Sequence, residues 1–112
     1  MKNETIKLTD FFKQINVEIP TTKKGEIHRG NLLKFFYEVS EKFPTGDNIL
    51  YEYVDEVSQR GDGQGYETFW IFKRKSDDKY FYYYSYDGRV EYHELVETNK
   101  EVKTTWEFEC QY

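Results

Sequence analysis

Residues 80–88 read YFYYYSYDG, six aromatic side chains in nine positions running into Asp87-Gly88. Aromatic residues favour the extended, pleated backbone, and an Asp-Gly pair favours a two-residue turn with both φ angles positive. The stretch therefore predicts one arm of a β-hairpin. A lone hairpin is marginal in water, so the chain must also supply further strands and an apolar layer to cover at least one face.

The strands are legible on both sides of that arm. ILYEYVDEVSQ (49–59) has an extended pattern that loses alternation near Asp55, which predicts a bulge. YETFWIFKR (66–74) is apolar in both phases, Tyr66, Trp70 and Phe72 in one and Phe69 and Ile71 in the other, as in a central strand covered on both faces. RVEYHELVE (89–97) follows the turn, and Val102, Thr104, Trp106, Phe108 and Cys110 share one face of an expected last strand over 102–110.

The covering layer comes from the first half. Leu8, Phe11, Phe12 and Ile15 recur at helical spacing behind Thr9, predicting a short helix over Asp10–Asn16 with Thr9 as its cap. Residues 17–30 hold Pro20, Gly25 and Gly30 and read as a connector. Leu32, Phe35, Phe36, Val39 and Phe43 then form one apolar stripe, a helix over 31–43 with Asn31 as cap and Pro44 as stop. The expected whole is one domain of 112 residues, α+β, with its helical part at about 8–44 and its sheet at about 49–110. It is an antiparallel meander of about five strands packed against one main helix, with a short N-terminal helix. The main helix covers one face; the N-terminal helix, another subunit or a partner is left for the other.

Charge separates the halves. Residues 1–45 hold eight Lys/Arg and six Asp/Glu, whereas residues 46–112 hold eight and fifteen, and the chain carries −5 overall. An acidic sheet fits a basic protein surface better than nucleic acid or an anionic membrane, although acidity also simply aids solubility. The basic cluster Lys73, Arg74, Lys75 and Lys79 is confined to one turn. With one cysteine, Cys110, there is no internal disulfide. The amino-terminal residues lack the apolar run of a signal peptide, and no stretch is long enough to cross a bilayer, so a cytoplasmic location is expected.

Chemistry-bearing motifs are sparse. His28 and His93 are far apart; Glu91 and His93 could give a metal two ligands, but spacing names no third. RGDGQG (60–65) matches neither a phosphate-binding loop nor an EF-hand, and reads as a hairpin tip. Asp55 and Glu56 would point to opposite strand faces, while Glu107 and Glu109 would point to solvent; neither makes a glycosidase pair. No cofactor motif is present. The aromatic content, 20%, exceeds what a core of this size needs, and the tyrosine ladder has two readings: both phases complete the core, beside Trp106 and Phe108 and under a helix, or one phase is core and the other an interface.

EVSQRGDGQGYETFWIFK, YFYYYSYDG and EVKTTWEFE, taken in order, resemble a family of small uncharacterised proteins of bacteriophages and low-GC Gram-positive bacteria. The resemblance covers about residues 54–109: the glycine-rich Gly61–Gly65, the aromatic-Phe-Lys strand end at Trp70–Lys73, the Tyr84–Gly88 turn and the late strand Glu101–Thr105. It supplies no catalytic residue. The leading expectation is a noncatalytic protein-binding module, an acidic inhibitor or immunity-like protein acting by steric occlusion. Its expected contacts are Tyr83, Tyr86, Glu91, His93, Glu94 and Glu97. Two alternatives stay open: an assembly component joining copies or other proteins, and a small enzyme whose pocket would gather His93 or Asp55.

Overall fold

The computed structural model describes residues 3–60, 65–90 and 92–98; the strand expected over 102–110, the tip Gly61–Gln64 and Glu91 lie outside them. The elements in chain order are β1 (Thr5–Lys7), α1 (Leu8–Gln14), α2 (Arg29–Lys42), β2 (Tyr51–Arg60), β3 (Tyr66–Arg74), β4 (Lys79–Tyr86) and β5 (Glu94–Thr98). The strands form one antiparallel sheet in the order β1-β5-β4-β3-β2. The α+β meander is as expected, with a difference at one end. Its fifth described strand comes from the N-terminus, where Ile6 lies opposite Leu95. Three residues with a single apolar side chain between Thr5 and Lys7 give too short a period to be seen in sequence.

Both helices lie on the same face. Leu8, Phe11 and Phe12 of α1 and Leu32, Phe36 and Val39 of α2 join Trp70, Phe72, Phe81, Tyr83 and Leu95 in one core. The stacked rings of Phe36 and Tyr83, with centroids 4.2 Å apart and planes 4° from parallel, sit at its centre. A second cluster, Phe69, Ile71, Tyr82 and Val96, lies on the opposite face, so β3 and β4 are buried on both sides as their two-phase apolarity requires. The N-terminal helix does not serve that second face. It follows β1 without a linker, and the Leu8 amide donates to the His93 carbonyl at 2.9 Å, which holds α1 beside the helix-side core.

Local signals set the element ends, two of them through other residues than expected. The α1 helix starts directly from β1, with Lys7 in the cap position and no side-chain cap bond, so Thr9 falls inside the helix. Its other end closes with Asn16 at φ 59°, the Asn16 and Val17 amides donating back to Lys13 and Phe12 carbonyls. That is a Schellman closure with asparagine in the left-handed position. At α2 the cap is His28, whose Nδ1 accepts from the Gly30 amide at 3.1 Å; Asn31 lies within the helix. Imidazole serves here as the acceptor more often supplied by Ser, Thr, Asp or Asn.

The strand reversals also follow the sequence. The bulge falls between Tyr53 and Asp55. Asp87 and Gly88 have φ of 52° and 78°, and the Arg89 amide donates to the Tyr86 carbonyl at 3.0 Å, a type I′ turn. Beyond this turn the hairpin opens. The β4–β5 ladder includes Tyr82 opposite Val96, so Tyr83–Ser85 faces the longer stretch 90–95, and the expected strand over 89–97 is cut back to Glu94–Thr98. The Tyr83 hydroxyl occupies the opening and donates to the Tyr92 carbonyl at 2.8 Å.

Candidate functional site

Of the six expected contact residues, Glu91 lies outside the described residues and the other five do not form one surface. Tyr83 is fully buried between α2 and the sheet, and this corrects its assignment as a partner contact: odd-numbered β4 residues face the helices. Tyr86 lies on the other face, its ring so close to Gly65 that an added Cβ there would meet it at 2.6 Å. His93 is exposed and borders a hollow of about 260 Å³ with Lys7, Glu26 and Glu94. Glu94 and Glu97 are three apart in an extended strand and so point to opposite faces. Among the described residues no group of three His, Cys, Asp or Glu side chains converges as metal ligands.

Glu97 is occupied structurally. Its Oε1 accepts from the Glu4 amide at 3.0 Å, and its Oε2 lies 3.9 Å from Lys79 Nζ. Beside it, both Glu4 carboxylate oxygens accept from the Arg74 guanidinium at 2.6 and 3.0 Å, and Arg74 also donates to both oxygens of Asp77 at 3.0 and 2.7 Å. The Arg74 hydrogen bond is the largest influence on each carboxyl: it holds Glu4 below its usual range and Asp77 down to about 2. Arg74 lies over the Phe81 ring at 4.9 Å. The basic cluster read from sequence is thus partly consumed in fastening β1 to the β3–β4 turn.

Two features that could serve an enzyme are separated. Asp55 is on β2, one margin of the described sheet, whereas His93 lies by the β1 and β5 end, with β3 and β4 between. A cleft of about 530 Å³ between α1 and the connector is lined by Phe12, Val17, Ile19, Pro20 and Ile27, with Lys13 and Thr9 at its polar side. It brings together neither histidine.

The acidic surface that does form is the outer margin of β2. This strand has ten residues, the longest in the sheet, and pairs with β3 alone among the described strands. Which of its backbone groups face outward follows from two contacts. The Glu56 amide donates to its neighbour's side chain, Asp55 Oδ1, at 2.8 Å. The Tyr66 carbonyl accepts from the Asp87 amide at 2.7 Å, so Tyr66 turns toward β4 and Arg60, its partner across β2–β3, turns outward. Polar groups of antiparallel residues alternate sides with period two, which places Glu56, Ser58 and Arg60 outward. The register runs unbroken from Asp55 to Arg60, so this alternation holds over six residues.

Side chains hold this margin in shape. Trp70 Nε1 donates to Glu56 Oε1 at 2.7 Å, and the Ser58 and Thr68 hydroxyls lie 3.2 Å apart. Glu52 pairs with Lys73 at 2.8 Å, but no described cation pairs with Asp55 or Glu56. Their field is felt nearby: burial first, then the Glu56 and Asp55 charges, push the Tyr53 hydroxyl up to about 12. In sequence Asp55 and Glu56 stand out only as neighbours on opposite strand faces; that they flank a margin of the described sheet depends on strand order, which is not readable from local pattern. Compared with known proteins, the chain matches no family model, and no curated protein or solved structure is significantly similar to it.

Proposed function

We propose that the protein is a noncatalytic protein-binding module that docks on a basic surface of a partner and occludes it. The observation that carries this reading is the Asp55/Glu56 carboxylate pair, without a cation among the described residues, on the margin of the described sheet in a chain of net charge −5. Carboxylates so placed steer a basic partner during encounter and desolvate little until contact, so they act chiefly on association rate. The inhibitor-like character expected from the acidic charge and the aromatic excess, with the resemblance over residues 54–109 as lesser support, is part of the same proposal. Among the described residues no helix is long and apolar enough to cross a membrane.

The test is kinetic. A protein captured from a host lysate is purified, and its association rate with this chain is measured across a salt series. Replacing Asp55 by Asn and Glu56 by Gln should slow association by about tenfold at low ionic strength and flatten the salt dependence, in line with electrostatic steering. An association rate indifferent to both salt and these substitutions would refute the mechanism.

A further inference from the structure

We infer that the occupant of the β2 margin is an extended, Lys- or Arg-bearing segment of the partner, added to the sheet as a further strand beside Asp55–Arg60. The inference rests on the binding reading above and specifies its geometry. Two independent observations lead to it. The first is a backbone ladder: the amides of Ser58 and Arg60 and the carbonyls of Glu56, Ser58 and Arg60 face outward without a hydrogen-bond partner among the described residues. A row of this kind is a template for an incoming strand, which takes its affinity from main-chain hydrogen bonds and its specificity from alternate side chains.

The second is charge and contact around that ladder. With Glu52 paired to Lys73, Tyr51–Arg60 offers Asp55 and Glu56 against Arg60 alone, so a basic strand is complemented, and the net charge of −5 on each chain disfavours a second copy. Val54 at the bulge is 37% exposed and Tyr66 beside Arg60 is 59% exposed, giving apolar contact at both ends of the margin. Bulges and charges also serve to blunt sheet edges. Here the bulge sits before Asp55, and the Asp55 side chain shields only the Glu56 amide, leaving the following ladder regular. The opposite margin offers no equivalent, since β1 has three residues.

The probe is a labelled peptide of about eight residues alternating Lys and Val, the usual length of a strand. Its binding is followed by fluorescence anisotropy, and amide hydrogen exchange locates it. Binding is expected to weaken with salt and to slow exchange at Ser58 and Arg60 by about tenfold. Asp55→Asn and Glu56→Gln should each weaken it about two- to fivefold, the range of an exposed ion pair. Ser58→Pro removes one outward amide, a place where an edge strand tolerates proline, and should weaken binding about tenfold while the thermal melt stays close to that of the parent. The two charge variants leave the backbone unchanged and decide the matter if the proline variant unfolds.

The outcomes separate the two readings. Salt-sensitive binding that protects other amides and ignores Ser58→Pro would overturn strand addition while sparing the basic-partner reading. No binding at low salt would overturn both. Protection of Ser58 and Arg60 that rises with protein concentration in the absence of peptide would make a second copy the occupant and overturn the basic segment.

Discussion

Replacing Tyr83 by Phe removes one oxygen and little else. The ring is fully buried and stacked on Phe36, and a phenylalanine keeps that stacking and the volume. What is lost is the hydrogen bond to the Tyr92 carbonyl at 2.8 Å, beyond the last paired residues of the β4–β5 ladder, Tyr82 and Val96. A neutral hydrogen bond of this kind is worth about 1 kcal/mol net, somewhat more if the carbonyl is left without water. For a chain of this size that is a fall in Tm of about 3–6 °C. Tyr83→Ala removes the ring as well and leaves a cavity against Phe36 and Trp70, which should cost about 3–5 kcal/mol.

The assay is equilibrium urea unfolding followed by tryptophan fluorescence and far-ultraviolet circular dichroism on the parent and both variants. A domain stable by about 5–15 kcal/mol tolerates the first change and is severely weakened by the second. Substitutions at an exposed tyrosine stay within about 0.5 kcal/mol. If Tyr83→Phe and Tyr83→Ala both fall in that range, Tyr83 is not a core residue and the stacking of α2 on β4 is wrong. Tyr86→Phe, on the opposite face, should leave stability unchanged within the same range.

Three further outcomes follow from the same geometry. Glu4 and Asp77 have pKa values depressed by Arg74, so their stabilisation is full above the ordinary carboxyl values of 4.5 and 3.8 and fades as pH falls below them, for Asp77 toward about 2; the parent should lose stability over that window, and Arg74→Met should flatten the loss in urea titrations. Asn16→Val puts a β-branched residue at φ 59° and should destabilise by about 1–2 kcal/mol, whereas Asn16→Gly should be neutral or stabilising, read from thermal melts. His28→Ala removes the acceptor for the Gly30 amide and should cost about 1 kcal/mol, with His28→Asn restoring most of it.

The parts of the fold that were legible in sequence are those written in local chemistry. The Asp87-Gly88 turn, the bulge near Asp55, the apolar stripe of α2 and the two-phase apolarity of β3 each report a backbone constraint confined to a few residues. What was not legible depends on distant partners. Ile6 is in a strand because Leu95 is opposite it, and His28 is a cap because the chain reaches Arg29 already turning. Neither residue type advertises its role. Tyr83 misled for a related reason: tyrosine is equally at home in a core and at an interface, and only the opened hairpin, which supplies the Tyr92 carbonyl, gives its hydroxyl an internal partner.

The same distinction separates acidic residues that adjoin in sequence from those that share a surface. Glu94 and Glu97 look like one patch when written out, but a three-residue step in an extended strand changes face, and Glu97 is spent on the Glu4 amide. Asp55 and Glu56 looked unpromising because adjacent strand residues diverge. At a sheet margin that divergence matters less, since side chains on either face flank the same outward backbone groups. In the strand addition proposed above, a basic segment meets both by lying along Asp55–Arg60, where the Ser58 and Arg60 amides face outward without a partner among the described residues.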